Sequence, residues 1–177
     1  MKLVAIGNGF LLDTALKAAK KNRFEILAIF TDDTSKANKL KKQHSVLPSA
    51  VLNDLPRKVF ENIDDLTWLV SADSTVIVKK TVLELFESRA FNFHPGLLPS
   101  YRGLYTYQWA VRYGERKFGS TIHLMEATVD TGNILDVEYF DITENDTGLS
   151  VFQKCMRVGS IALGRTFARI ANGEVVS

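Results

Sequence analysis

Short apolar runs alternate, along the first half of the chain, with stretches whose apolar positions recur every three or four residues. That is the pattern of strands alternating with helices. Leu3 to Ile6 reads as a buried first strand, Gly7-Asn8-Gly9 as a turn, and Leu11 to Lys21 as a helix with Leu12, Ala15, Leu16 and Ala19 on one side. Glu25 to Phe30 is a second strand. Ser35 to His44 is a polar helix whose lysine-rich face reads as a solvated surface. Pro48 and Pro56 bracket an irregular stretch without linker composition, so no domain boundary is placed there. Trp68 to Ala72 is another strand, Thr81 to Ser88 a helix, and Phe91 to His94 a strand stopped by Pro95. The pattern then changes. Ser120 to Met125 and Ile134 to Asp141 are strands with no helix between them. A long helix from Gly148 to Ile170 follows, with Val151, Cys155, Val158, Ala162 and Phe167 near one face and Gly173 just beyond. The expected fold is α/β: a Rossmann-like open, mostly parallel sheet with helices on both faces and an added β segment before the C-terminal helix. Residues 1–177 read as one domain. Such sheets bind ligands beyond the carboxyl ends of their strands, here the turns after Ile6 and after His94.

Composition narrows the function without naming it. With 177 residues, 46% hydrophobic and 24% charged, the chain can bury a core, and disorder is not its expected state. A net charge of +2 is too small to argue for nucleic acid or an anionic membrane as partner. No apolar run approaches the roughly 20 residues that span a bilayer. The start, Met1 to Gly7, turns polar too soon for a signal peptide, and the single cysteine makes a reducing cytoplasm the expected location. The single cysteine, Cys155, has no disulfide partner and no zinc-ligand spacing, and reads as a small apolar residue inside a helix.

The chemistry concentrates at Phe91-Asn92-Phe93-His94-Pro95. On a strand, Asn92 and His94 project together while Phe91 and Phe93 pack on the other face. A carboxamide beside an imidazole suits an oxyanion at an attacked carbonyl, although such a pair near a strand end is also common as satisfied structural groups. The loop Leu97-Leu98-Pro99-Ser100-Tyr101-Arg102-Gly103 follows. Downstream, Thr121-Ile122-His123 lies on a strand and Asp130-Thr131-Gly132 in a loop, where the aspartate serves either the turn or a histidine. Gly7-Asn8-Gly9 lacks the full dinucleotide-binding glycine pattern.

Two linked motifs carry a specific resemblance. Asn92-Phe93-His94-Pro95 with Leu97-Leu98-Pro99 and Tyr101-Arg102-Gly103 resembles the core motif of the folate-dependent formyltransferases. Gly119 to Met125 and Val129-Asp130-Thr131-Gly132-Asn133-Ile134 resemble the family's second motif at the usual distance. The likeness covers roughly Val70 to the end and, weakly, the first strand and turn. It implies transfer of a formyl group from 10-formyltetrahydrofolate to a primary amine without a metal. It further implies that Asn92, His94 and Asp130 are catalytic and that Thr75, Val76, Ile77, Val78 and Leu98 bind the folate. Gly9, Tyr101, Arg102 and Tyr105 would meet the acceptor. The chain departs from the family in having Gly96 where serine is usual and Asp73-Ser74 where an aromatic-glycine pair is usual. His123 is read as packing ahead of substrate contact; Trp109 is read equally as packing on the sheet and as acceptor-facing.

The expected partner is a small-molecule amine, first an amino sugar linked to a nucleotide. An aminoacyl group on a peptide-synthetase carrier protein and glycinamide ribonucleotide are the alternatives. Methionyl-tRNA is disfavoured because no RNA-contacting extension follows the long helix, and a formyl-folate hydrolase because there is no room for a regulatory domain. A non-catalytic nucleotide-binding module is the rival from another class. No nucleic acid or membrane partner is expected, and a homodimer is a permitted assembly.

Overall fold

The first strand, β1 (Lys2–Gly7), is buried from Leu3 onward because both its faces are covered. The computed structural model describes residues 1–54, 59 and 61–175. Leu3 and Ala5 point into a core completed by α1 (Gly9–Lys21) and by the long helix α5 (Gly148–Ala171), through residues such as Leu12, Leu16, Leu163 and Phe167. Val4 and Ile6 point the other way, onto Leu52, Val82 and Phe86. Alternation along one strand thus feeds two cores.

The remaining strands are β2 (Glu25–Phe30), β3 (Val46–Leu47), β4 (Thr67–Ala72), β5 (Ala90–His94), β6 (Lys117–Leu124) and β7 (Ile134–Asp141). They form one sheet in the order β3-β2-β1-β4-β5-β6-β7. The pairs from β3 through β5 are parallel, and β6 and β7 are antiparallel additions. This is the Rossmann-like α/β arrangement with an added β segment that the periodicity predicts. β4, β5 and β1 end side by side, so the turns after them share one edge.

Several elements differ from the sequence expectation. The polar helix over 35–44 is the shorter α2 (Thr34–Leu40), capped by Asp33, whose side chain accepts the Lys36 N–H. It stops so that the chain can turn and enter the edge strand β3. The helix over 81–88 is a single turn, α3 (Lys80–Leu83), followed by a tight 3-10 turn at Glu84–Phe86. Glu87 and Ser88 then take left-handed backbone, which reverses the chain into β5. An additional helix, α4 (Thr106–Arg112), follows the proline-rich loop. Pro56, one bracket of the irregular stretch, lies outside the described residues.

The added β segment and α5 enclose a third core of Phe118, Ile142, Val151 and Cys155. Burial pushes the Cys155 thiol up to about 12, the behaviour of an inert packing residue. α5 begins with a capping box in which the side chains of Thr147 and Ser150 each serve the other's backbone. At Gly159 the helix comes so close to β5 that any Cβ would overlap the Phe93 ring. That contact fixes the height of β5, and with it the two polar residues on its opposite face.

Candidate active site

Asn92 and His94 leave β5 on the same side, as their spacing of two requires. Across the antiparallel β5–β6 pair, Asn92 stands opposite His123 and His94 opposite Thr121. The His123 Nδ1 lies 2.7 Å from the Leu124 carbonyl, and its Nε2 lies 3.2 Å from the Asn92 amide nitrogen. A carbonyl can only accept, so Nδ1 carries the proton and Nε2 accepts from Asn92. The same logic fixes the Asn92 amide: its nitrogen faces His123, and its second N–H is free for a ligand.

His94 is tied differently. Its Nε2 donates to the Tyr101 carbonyl at 2.6 Å. Its Nδ1, bare in the neutral ring, faces Asp130 Oδ2 at 3.4 Å. Asp130 has left-handed backbone, with φ 55°, and its Oδ2 accepts the Gly103 N–H at 2.8 Å. Its other oxygen lies 3.5 Å from His123 Nε2. The side chains of His94, His123 and Asp130 are all at least nine-tenths buried. Burial pushes the His94 imidazole below its ordinary value; Asp130 and the Tyr101 carbonyl oppose this, and His123 adds to it. Burial pushes the Asp130 carboxyl up, but the neighbouring His123 and His94 rings and the Gly103 N–H outweigh it and hold the group below the usual carboxylate range. The cluster therefore rests with an ionised acid beside an unprotonated ring nitrogen. It can take up one proton.

Gly96 explains one departure from the family pattern. A Cβ there would stand 2.8 Å from His94 Nε2 and 3.0 Å from the Tyr101 carbonyl, the two atoms of the short hydrogen bond. The loop after β5 is closed tightly over the histidine and pinned by side chains. Thr121 Oγ1 donates to the Gly96 carbonyl at 2.7 Å and accepts the Leu98 N–H at 3.2 Å, while the Thr106 hydroxyl donates to the Pro95 carbonyl.

The segment expected to line a folate pocket, Thr75 to Val78, is irregular chain after a left-handed Asp73. Asn53 clamps it: its amide donates to the Ile77 carbonyl, and its oxygen accepts the Lys79 N–H, each at 2.8 Å. Ile77 is exposed and Val78 buried. The Val76 carbonyl and the Val78 N–H make no hydrogen bond among the described residues. Asn53 escaped sequence reasoning, and His123, read there as packing first, is tied to Asn92 instead. Only the cross-strand register could have exposed His123, and nothing local marks Asn53.

The acceptor-side residues separate. Gly9 begins α1, and its carbonyl accepts the Lys36 ammonium at 2.9 Å. Tyr101 sends its main chain to His94 but turns its phenol away, onto Phe118 and to Glu115 at 2.6 Å. Burial and that carboxylate push the phenol up to about 12. Arg102 and Tyr105 are exposed, and Tyr105 has left-handed backbone with φ 58°, rare for an aromatic residue. Tyr107 packs on Phe152 of α5. Trp109 does not pack on the sheet; it is 47% exposed and stacks on Tyr113. His123 is buried as expected, but on polar partners. Among the described residues no cluster of three or more His, Cys, Asp or Glu could hold a metal ion, and no helix is long and apolar enough to cross a membrane.

An amide, a buried imidazole facing a carboxylate and an irregular main-chain segment, at or beyond the carboxyl ends of β4 and β5, form a candidate site on a Rossmann-like sheet. The family described as formyl transferase matches residues 1–166. The chain belongs to this family of folate-dependent formyltransferases, which take the formyl group from 10-formyltetrahydrofolate. It is 30% identical to the methionyl-tRNA formyltransferase of Clostridium novyi, over 99% of this chain and 61% of that protein. Similar folds include glycinamide ribonucleotide transformylase 1 of Symbiobacterium toebii, with a TM-score of 0.82 and 20% identity over 100% of this chain and 90% of that one. The N-formyltransferase of Helicobacter canadensis, solved with folinic acid and dTDP-3-aminofucose, has a TM-score of 0.78 and 23% identity, over 98% of this chain and 65% of that one. The chain spans about three-fifths of the length of the curated methionyl-tRNA formyltransferases it matches over nearly its whole length.

Proposed function

We propose that residues 1–177 act as one catalytic domain that moves the formyl group from N10 of 10-formyltetrahydrofolate to a primary amine. The observation that carries this reading is the proton inventory of the cluster. Asn92 keeps one N–H free, and His94 keeps Nδ1 bare beside an ionised Asp130. The amine lone pair attacks the formyl carbon, and the carbonyl electrons move to oxygen, where the Asn92 N–H stabilises them. The proton lost by the amine goes to His94 Nδ1, and the imidazolium is held by Asp130. The intermediate collapses by breaking the bond to N10, which takes the proton back from His94. A formamide and tetrahydrofolate result. The folate ring is held by the main chain of Thr75 to Val78 and by Leu98.

The acceptor is an amine on a nucleotide-linked sugar. Exposed aromatic and guanidinium groups at Arg102, Tyr105 and Trp109 support it, as does the fold-level likeness to an enzyme solved with a nucleotide amino sugar. A small soluble acceptor and the buried lone thiol Cys155 both fit a cytoplasmic setting. The test offers the protein 10-formyltetrahydrofolate with nucleotide-linked amino sugars, glycinamide ribonucleotide, or an aminoacyl-carrier protein, and follows formyl transfer by mass. Transfer to an amino sugar is expected. Transfer only to one of the other two would overturn the acceptor and leave the chemistry standing, whereas no transfer with any amine would overturn both.

A further inference from the structure

Tyr101 to Gly103 form a wall with two working sides. On one side the Tyr101 carbonyl holds His94 at 2.6 Å and the Gly103 N–H holds Asp130 at 2.8 Å. On the other, Tyr101 and Arg102 line a cavity of about 450 Å³, together with Thr106, Trp109, Tyr113 and Glu115. Trp109 and Tyr113 stack at 5.7 Å with 27° between their planes and are 47% and 67% exposed. Arg112 lies over the Trp109 ring at 5.8 Å and lines the adjoining hollow. Among the described residues neither Arg102 nor Arg112 forms an ion pair. One Glu115 oxygen accepts the Tyr101 hydroxyl, and the other has no partner among the described residues.

We propose that this cavity is the subsite for the nucleotide part of the acceptor, an inference that rests on the acceptor reading above. The base stacks on the Trp109–Tyr113 pair, which offers a flat apolar face. A ring N–H of the base donates to the free Glu115 oxygen, and the phosphates meet the unpaired Arg102 and Arg112. Each part of a nucleoside diphosphate has a complement here; a purely apolar partner would leave two guanidinium groups and a carboxylate unanswered. The occupant also bears on the wall that holds His94 and Asp130. Binding far from the amine therefore sets the geometry of the catalytic pair, and acceptors without the nucleotide lose kcat as well as affinity.

The whole chain is titrated with UDP, dTDP and GDP while tryptophan fluorescence is followed. Of the two tryptophans, Trp68 is only 4% exposed, so the signal reports Trp109. Saturable quenching by at least one nucleotide is expected, weakened about tenfold or more by Tyr113→Ala and by Arg112→Ala. Calorimetry with 5-formyltetrahydrofolate shows that both variants keep the folate site. No saturable change with any of the three, quenching indifferent to both variants, or a signal that follows protein concentration because a second copy covers the patch would each overturn the proposal. Nucleotide binding without formylation of any amino sugar would instead overturn the acceptor reading and leave the cavity assignment intact.

Discussion

Asn92 gives one amide N–H to His123 Nε2 at 3.2 Å, and the Leu124 carbonyl at 2.7 Å from the opposite ring nitrogen fixes which way that bond runs. The orientation of the proposed oxyanion donor is thus set by a histidine on the neighbouring strand. Replacing His123 by alanine frees the amide to rotate. It is expected to lower kcat by up to about 10², the scale of losing one such donor. His123→Gln, whose oxygen can accept from Asn92, recovers part of the loss. Steady-state kinetics with 5-formyltetrahydrofolate binding as control distinguishes this from unfolding; unchanged kcat in His123→Ala would remove the positioning role.

Asp130→Asn keeps the size and the Gly103 contact but removes the charge that receives the His94 imidazolium. Turnover is expected to drop by about 10²–10³ with little change in folate affinity. Near-normal turnover with the true acceptor would show that Asp130 belongs to the turn alone.

The pH dependence follows from burial. His94 is held below its ordinary value of 6.5, so it stays a neutral base to a lower pH than a free imidazole. The acid limb of kcat/KM should have its midpoint below 6.5, and Asp130→Asn should move it lower still, because Asp130 is the charge that favours the imidazolium. The same depression links to stability. Above the unfolded value both states bind equally few protons. As pH falls from 6.5 toward the lowered folded value, the unfolded chain gains a proton that folded His94 refuses, and stability is lost. Thermal melts from pH 7.5 to 5 should show a falling Tm, flattened in His94→Gln.

Two glycines of α5 should respond to alanine in opposite directions. At Gly159 the new methyl group overlaps the Phe93 ring, an overpacking cost of about 1–3 kcal/mol that exceeds the roughly 1 kcal/mol gained in helix propensity. At Gly164 a Cβ meets nothing within 4 Å, so the propensity gain stands alone. Denaturant unfolding of both variants measures the signs. Gly159→Ala should also lower activity, because Phe93 shares β5 with Asn92 and His94.

Gly96→Ala places its Cβ within 3 Å of both His94 Nε2 and the Thr106 hydroxyl. It should reduce turnover more than stability, since the atoms displaced form the His94–Tyr101 hydrogen bond. Equal loss of both would mean that the loop, and not the histidine, carries the strain.

The sequence by itself determined what depends on local period and composition. Strands covered on both faces read as apolar runs, α1 and α5 as helical stripes, and the period of two put Asn92 and His94 on one face whatever lay around them. The paired motifs also brought Asp130 into view beside them. Tertiary structure alone decided the rest, because the rest rests on contacts between distant segments or on main-chain atoms that every residue shares. The Tyr101 carbonyl holds His94, but no carbonyl is visible in a side-chain pattern. His123 reaches Asn92 only through the register of β5 against β6, 31 residues apart in the chain. Asn53 clamps the chain at Ile77 and Lys79 from an irregular stretch with no period to read. The outward stacking of Trp109 on Tyr113 was equally open, because a short helix after a loop can turn either face to the sheet until Tyr107 and Ala110 take the buried side.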